Sequence, residues 1–106
     1  RLIMMNYHKT KYSQLLNCDI DENIIELIES INILDCKTFE SCQGGIDEEK
    51  EYELAFVILE RKHFLKVKHL FPKDISIEIG DGGYMLSDYS SDLLEFENLL
   101  YITFKV

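Results

Sequence analysis

The six residues Leu54-Ala55-Phe56-Val57-Ile58-Leu59 contain no polar side chain, and this run limits the fold more than any other stretch. A strand with one wet face alternates apolar and polar residues. An unbroken apolar run of strand length, rich in β-branched and aromatic residues, therefore reads as a strand covered on both faces. It extends back to Tyr52 and must lie inside a sheet.

Two helices are expected beside it. Asp19 or Asp21 can cap the first, with Glu22 three residues after Asp19 in the capping-box arrangement. Ile24, Leu27, Ile28, Ile31 and Leu34 then recur at helical spacing, and Glu22, Glu26 and Glu29 lie off that stripe. The second helix is expected over residues 60–71. Phe64, Val67, Leu70 and Phe71 form its apolar face, Arg61, Lys62, Lys66 and Lys68 its polar one, and Pro72 ends it.

Further strands are expected at Thr38–Cys42, stopped by Gln43-Gly44-Gly45, and at Ile75–Ile79, where isoleucines alternate with Ser76 and Glu78. Gly80-Asp81-Gly82-Gly83 signals a hairpin into Tyr84-Met85-Leu86. Leu100, Ile102, Phe104 and Val106 alternate in a final strand; residues 93–97 fit a helical turn or a strand, and residues 1–17 an arm or a short helix. This order implies one α+β domain over residues 1–106: a two-layer sandwich with a mostly antiparallel sheet of four or five strands and both helices on one face. The final strand, if it lies at a sheet edge, would pair with its copy in a homodimer.

Charge narrows the choice of partner. Twenty Asp and Glu against eleven Lys and Arg leave a net charge of −9. Residues 1–18 carry +3, residues 19–60 carry −11, residues 61–73 carry +5 and residues 74–106 carry −6. Phosphate backbones are gripped by clustered Lys and Arg, so direct nucleic-acid binding is disfavoured and a basic protein surface is the expected partner. No apolar run approaches the roughly 20 residues that span a bilayer, so no membrane partner is expected. Three cysteines, an odd number, and no secretory leader pattern place the chain in a reducing cytoplasm.

The stretch Thr38-Phe39-Glu40-Ser41-Cys42-Gln43-Gly44-Gly45 is the one that reads as more than scaffold. Paired glycines after a strand allow positive φ, and successive backbone N–H groups can converge on an anion. Ser41, Cys42, Gln43, Gly44 and Gly45 are thus candidate ligand-binding residues, with Arg61 as countercharge. Cys42 is the one candidate nucleophile. A thiolate needs a positive neighbour, yet the local sequence supplies Glu40 and the acids at 47–49, leaving His63 and His69 as candidate bases. The cysteines and histidines lack the tight pairs of a zinc site, and no metal or cofactor is expected. Gly80–Gly83 has no following Lys-Ser or Lys-Thr and reads as a turn.

Residues 34–45 followed by 52–56 resemble small uncharacterised bacterial and phage proteins in which a helix leads into T-x-x-S-C-x-G and then an apolar strand. The matching residues are Thr38, Ser41, Cys42 and Gly44, with Tyr52 and Phe56 downstream. The Ser-Cys-x-Gly piece also looks like the wybutosine-synthesis methyltransferase family, which would have a basic residue where this chain has Gly45. The resemblance to the small proteins implies an α+β fold, assigns no catalytic residue, and brings in functions such as blocking a host enzyme or capturing a signalling nucleotide.

The leading expectation is a non-enzymatic interaction protein, a phage-type inhibitor among the options, that presents Glu22, Glu26, Glu29, Asp47, Glu48 and Glu49 to a basic partner. The second is a binder of an anionic, nucleotide-like small molecule at the 41–45 loop. The third is an enzyme that depends on Cys42.

Overall fold

The computed structural model describes residues 9–46, 52–83 and 96–106. Near the N-terminus the chain turns back at Asn17, whose φ of 56° lies in the left-handed region that Asn tolerates. Asn17 N–H donates to the Ser13 carbonyl, and the Tyr12 hydroxyl bonds the Asn17 side chain. The turn joins β1 (Thr10–Ser13) to β2 (Cys18–Asp21) as an antiparallel hairpin. This corrects the expectation of an arm or short helix: the segment lacks an apolar period because only Ser13 and Ile20 of the hairpin are buried.

Asp21 leads into a 3-10 turn, Glu22–Ile24, and then helix α1 (Ile25–Ile33). The apolar stripe performs as its spacing requires, with Ile24, Ile28 and Ile31 buried. The cap does not, because Asp19 lies within β2 and neither Asp21 nor Ile24, the residues at the two helical starts, makes a side-chain cap bond. The helix ends without a glycine. Asp35 takes φ 66°, its N–H donates to the Asn32 carbonyl, and Cys36 N–H reaches back to the Ile31 carbonyl. That pair of bonds is a Schellman closure, and buried Ile31 and Cys36 supply the apolar contact that goes with it.

Next come β3 (Thr38–Cys42), the short pair β4 (Gly45–Ile46) and β5 (Tyr52–Glu53), and β6 (Ala55–Glu60). The second helical segment is a single α turn, α2 (Phe64–Val67), between 3-10 turns at Arg61–His63 and Lys68–Leu70. Strand β7 (Ile75–Ile79) follows, and a 3-10 turn, Phe96–Asn98, leads into β8 (Leu99–Phe104). The hairpin expected into Tyr84-Met85-Leu86 falls outside the described residues.

The main sheet has the order β3-β6-β8-β7, with every neighbouring pair antiparallel. The fold is therefore α+β, as expected. The final strand, however, is interior: β8 pairs with β6 on one side and β7 on the other, which removes it as a dimer edge. Ala55, Val57 and Leu59 lie opposite Phe104, Ile102 and Leu100, and these face Ile24, Ile28, Ile31, Phe64, Val67 and Phe71 from the helical layer. Phe56 and Ile58 point the other way, into a second cluster with Leu99, Phe39, Cys42 and Tyr101. Strand β6 is thus dry on both faces, which is the physical origin of its unbroken apolar run.

Candidate functional site

The 41–45 loop is built from partners distant in sequence. Cys42 lies opposite Phe56 on β6, and Ser41 opposite Val57. Gln43 N–H donates to the Asp21 carboxylate at 2.9 Å, and the Gln43 side-chain oxygen accepts from Asn23 N–H at 2.9 Å. Gln43 therefore supplies the helix start with the acceptor that Asp21 does not, and Asp21 turns to the loop instead. Gly44 N–H donates to the Cys42 sulfur at 3.4 Å.

Both glycines have positive φ, 67° and 110°. A Cβ on Gly44 would sit 2.4 Å from the Glu53 carbonyl oxygen, so the chain passes too close there for any side chain. Gly45 opens onto free space. The converging donors expected for an anionic ligand thus meet the protein's own groups, the Asp21 carboxylate and the Cys42 sulfur.

Asp21 also governs the thiol. Cys42 is pushed up from 9.0 to about 11 by burial, helped by the negative charges of Asp21 and Glu53 and by its hydrogen bond to Asp21. Cys36, buried in the core, rises to about 11 through burial and the Glu60 charge. Both are protonated at neutral pH and are poor nucleophiles. The acids that act on Cys42 are Asp21 and Glu53, neither of them among those the sequence pointed to. His63 and His69 belong to the 3-10 turns beyond Glu60, past the end of β6 remote from Phe56, the residue that faces Cys42. The three cysteines stand as thiols, and the described residues contain no cluster suited to a metal ion.

Arg61 is not brought to the loop. Gly44 packs against Glu53, Leu54 and Ala55 at one end of β6, and Arg61 follows the other end, roughly 20 Å away at strand rise. Its guanidinium donates to the Glu97 carbonyl. Glu22 and Glu26 are exposed. Glu29 is half-buried and accepts from Ser13 Oγ at 2.7 Å, which makes it a strut between α1 and the N-terminal hairpin. Asp47, Glu48 and Glu49 lie outside the described residues.

A cleft of about 270 Å³ opens where β2, α1 and β3 meet. Leu16, Ile20 and Ile28 give it an apolar floor, with Asp19, Ser41 and Asn32 among its polar groups. Asn32 Nδ2 bonds the Ile28 carbonyl and Thr38 Oγ, fastening the helix to β3. The sequence singled out Ser41, marked Asp19 only as a helix cap and gave no signal for Asn32; the N-terminal hairpin brings Asp19 here, and α1 brings Asn32. A second hollow of about 540 Å³ lies at the end of the second helical segment, lined by Leu65, Lys68, His69, Phe71, Pro72, Lys73 and Ile75. Among the described residues no helix is long and apolar enough to cross a membrane.

In comparisons with known proteins, the chain matches no family model, no curated protein and no solved structure.

Proposed function

We propose that this protein is a non-catalytic interaction module that receives a basic segment of a partner protein at the cleft between β2, α1 and β3. The observation that carries this reading is the rim of that corner. Asp19 and Glu40, both exposed, line the cleft beside a single ammonium, that of Lys37, and no ion pair holds Asp19 among the described residues. The apolar floor formed by Leu16, Ile20 and Ile28 suits the aliphatic stem of Lys or Arg, whose charged head would meet the carboxylates. The protonated state of Cys42 and Cys36 and the satisfied donors of the glycine loop weigh against the catalytic and anion-binding alternatives. A module of this kind acts by occupying its partner, as an inhibitor does. A reducing cytoplasm, where thiols persist, is its proposed compartment.

The test is a titration with a lysine- and arginine-rich peptide, using the wild type and the double variant Asp19→Lys, Glu40→Lys. Affinity should fall several-fold as salt is raised through roughly 0.1 M, where the screening length is about 10 Å. It should fall further in the double variant. An affinity that ignores both salt and charge reversal overturns the proposal.

A further inference from the structure

The main sheet has two outer strands, and they differ. Strand β3 carries a register shift between Thr38 and Glu40 that breaks the regularity of its edge, and β2 packs beside it. Irregularity of this kind blunts strand-to-strand association. Strand β7 is regular over all five residues, and no described residue pairs with its outer edge.

Beyond half-buried Ile75, which packs against the core, the side chains of β7 are also uncovered. Ile75, Ile77 and Ile79 lie opposite Phe104, Ile102 and Leu100, so they share the face on which the helical layer rests. The core reaches Ile75 and stops short of the other two: Ile77 is 44% and Ile79 49% exposed. Leu65, 82% exposed, stands beside Ile75 at the lip of the larger hollow. A flat, regular, apolar edge is a template for another strand.

We propose that β7 pairs antiparallel with β7 of a second copy, about a two-fold axis through Ile77, joining two four-stranded sheets into one. A two-fold axis normal to the sheet must pass through a residue, because facing side chains lie on the same side. That leaves five registers, and only the one on Ile77 pairs all five strand residues. In it Ile77 meets its own copy and Ile75 meets Ile79, which extends the isoleucine stripe across the seam. On the other face Ser76 meets Glu78, so no two acids confront each other. Just beyond the strand Lys73 meets Asp81, twice over by symmetry. A shift to Ser76 sets Asp74 against Glu78, and a shift to Glu78 sets that residue against itself. Charge and apolar pattern thus select the same register as strand length does.

Sedimentation equilibrium of the full chain tests the assembly, and oxidative crosslinking tests the register. The expected mass is twice the 12.5 kDa of one chain. Ile77→Lys should weaken dimerisation at least tenfold without unfolding the monomer, since Ile77 leaves no cavity, and Ile77→Val should retain the dimer. In a Cys18→Ser background, Ile77→Cys should crosslink rapidly through its own copy across the axis, and Ser76→Cys should not. A monomer at every concentration up to roughly 1 mM, a dimer indifferent to Ile77→Lys, or equal crosslinking at 76 and 77 overturns the proposal. Binding of a basic peptide at the β2-β3 cleft is read separately and is not required for any of these outcomes.

Discussion

Strands β6 and β7 flank the same central strand, β8, and both are rich in large aliphatic residues, yet their surroundings are opposite. Five of the six residues of β6 are buried, Ala55, Phe56, Val57, Ile58 and Leu59. None of the five residues of β7 is. The helical layer covers β6 on one face and the Phe39, Cys42, Leu99 and Tyr101 cluster covers it on the other. At β7 the core reaches only Ile75, and Ile77 and Ile79 stand about half exposed. Apolar content alone does not place a strand in a core; the pattern does. The unbroken run signals two dry faces, and strict alternation signals one dry face at most.

Three measurements would break or sharpen this contrast. Alanine in place of Leu59 on the helical side, or of Ile58 on the opposite side, should each cost about 2–5 kcal/mol in denaturant unfolding, because both side chains are fully buried. Ile77→Ala, measured on the dilute monomer, should cost less than about 1 kcal/mol, since roughly half of that side chain is already in water. If Ile58→Ala proved as mild as Ile77→Ala, the second face would not be a true core.

A smaller effect is expected at Gly82, where a Cβ would lie 2.4 Å from the Tyr101 ring and the backbone φ is 61°. Gly82→Ala should therefore cost about 1–3 kcal/mol through strain and displacement of that ring. Loss of the close packing between Phe56 and Tyr101, whose ring centres are 5.5 Å apart, would show in the aromatic circular dichroism.

The smallest effect concerns the thiols on the two faces of β6. Folding raises Cys36 and Cys42 from 9.0 to about 11, so the folded chain holds their protons more tightly than the unfolded chain. Their contribution to stability is complete below about pH 9 and is lost as pH rises through 11, by an amount on the order of 1 kcal/mol per thiol at about pH 10. Cys42→Ser and Cys36→Ala should flatten that alkaline slope. At neutral pH an alkylating agent should label exposed Cys18 well before Cys42 or Cys36, as read by peptide mass mapping.

The candidate site was legible only in part. Gly44 and Gly45 announced a conformation with positive φ, and that is what they adopt. What the loop is fastened to was not legible, because Gln43 is bonded to Asp21, 22 residues away, and to Asn23. An aspartate before an apolar helical stripe reads as a cap for its own helix, since that is the nearest use for its carboxylate. Here a tertiary contact outcompeted the local one. Glu29 likewise read as one of the acids presented to a basic partner, whereas the N-terminal hairpin brings Ser13 against it.

The sequence by itself determined the elements whose signal is a local period: the doubly buried strand at 55–60, the amphipathic helix ending near residue 33, and the alternating strands at 75–79 and 99–104. Side-chain periodicity expresses which faces of a segment can be dry, and each segment carries that information alone. Only the tertiary structure decided that β8 lies inside the sheet and β7 at its edge, that residues 10–21 form a hairpin, and that Arg61 ends far from the glycine loop. Those outcomes depend on which dry faces meet across the chain, a choice settled by the summed packing of the whole core and written in no single segment.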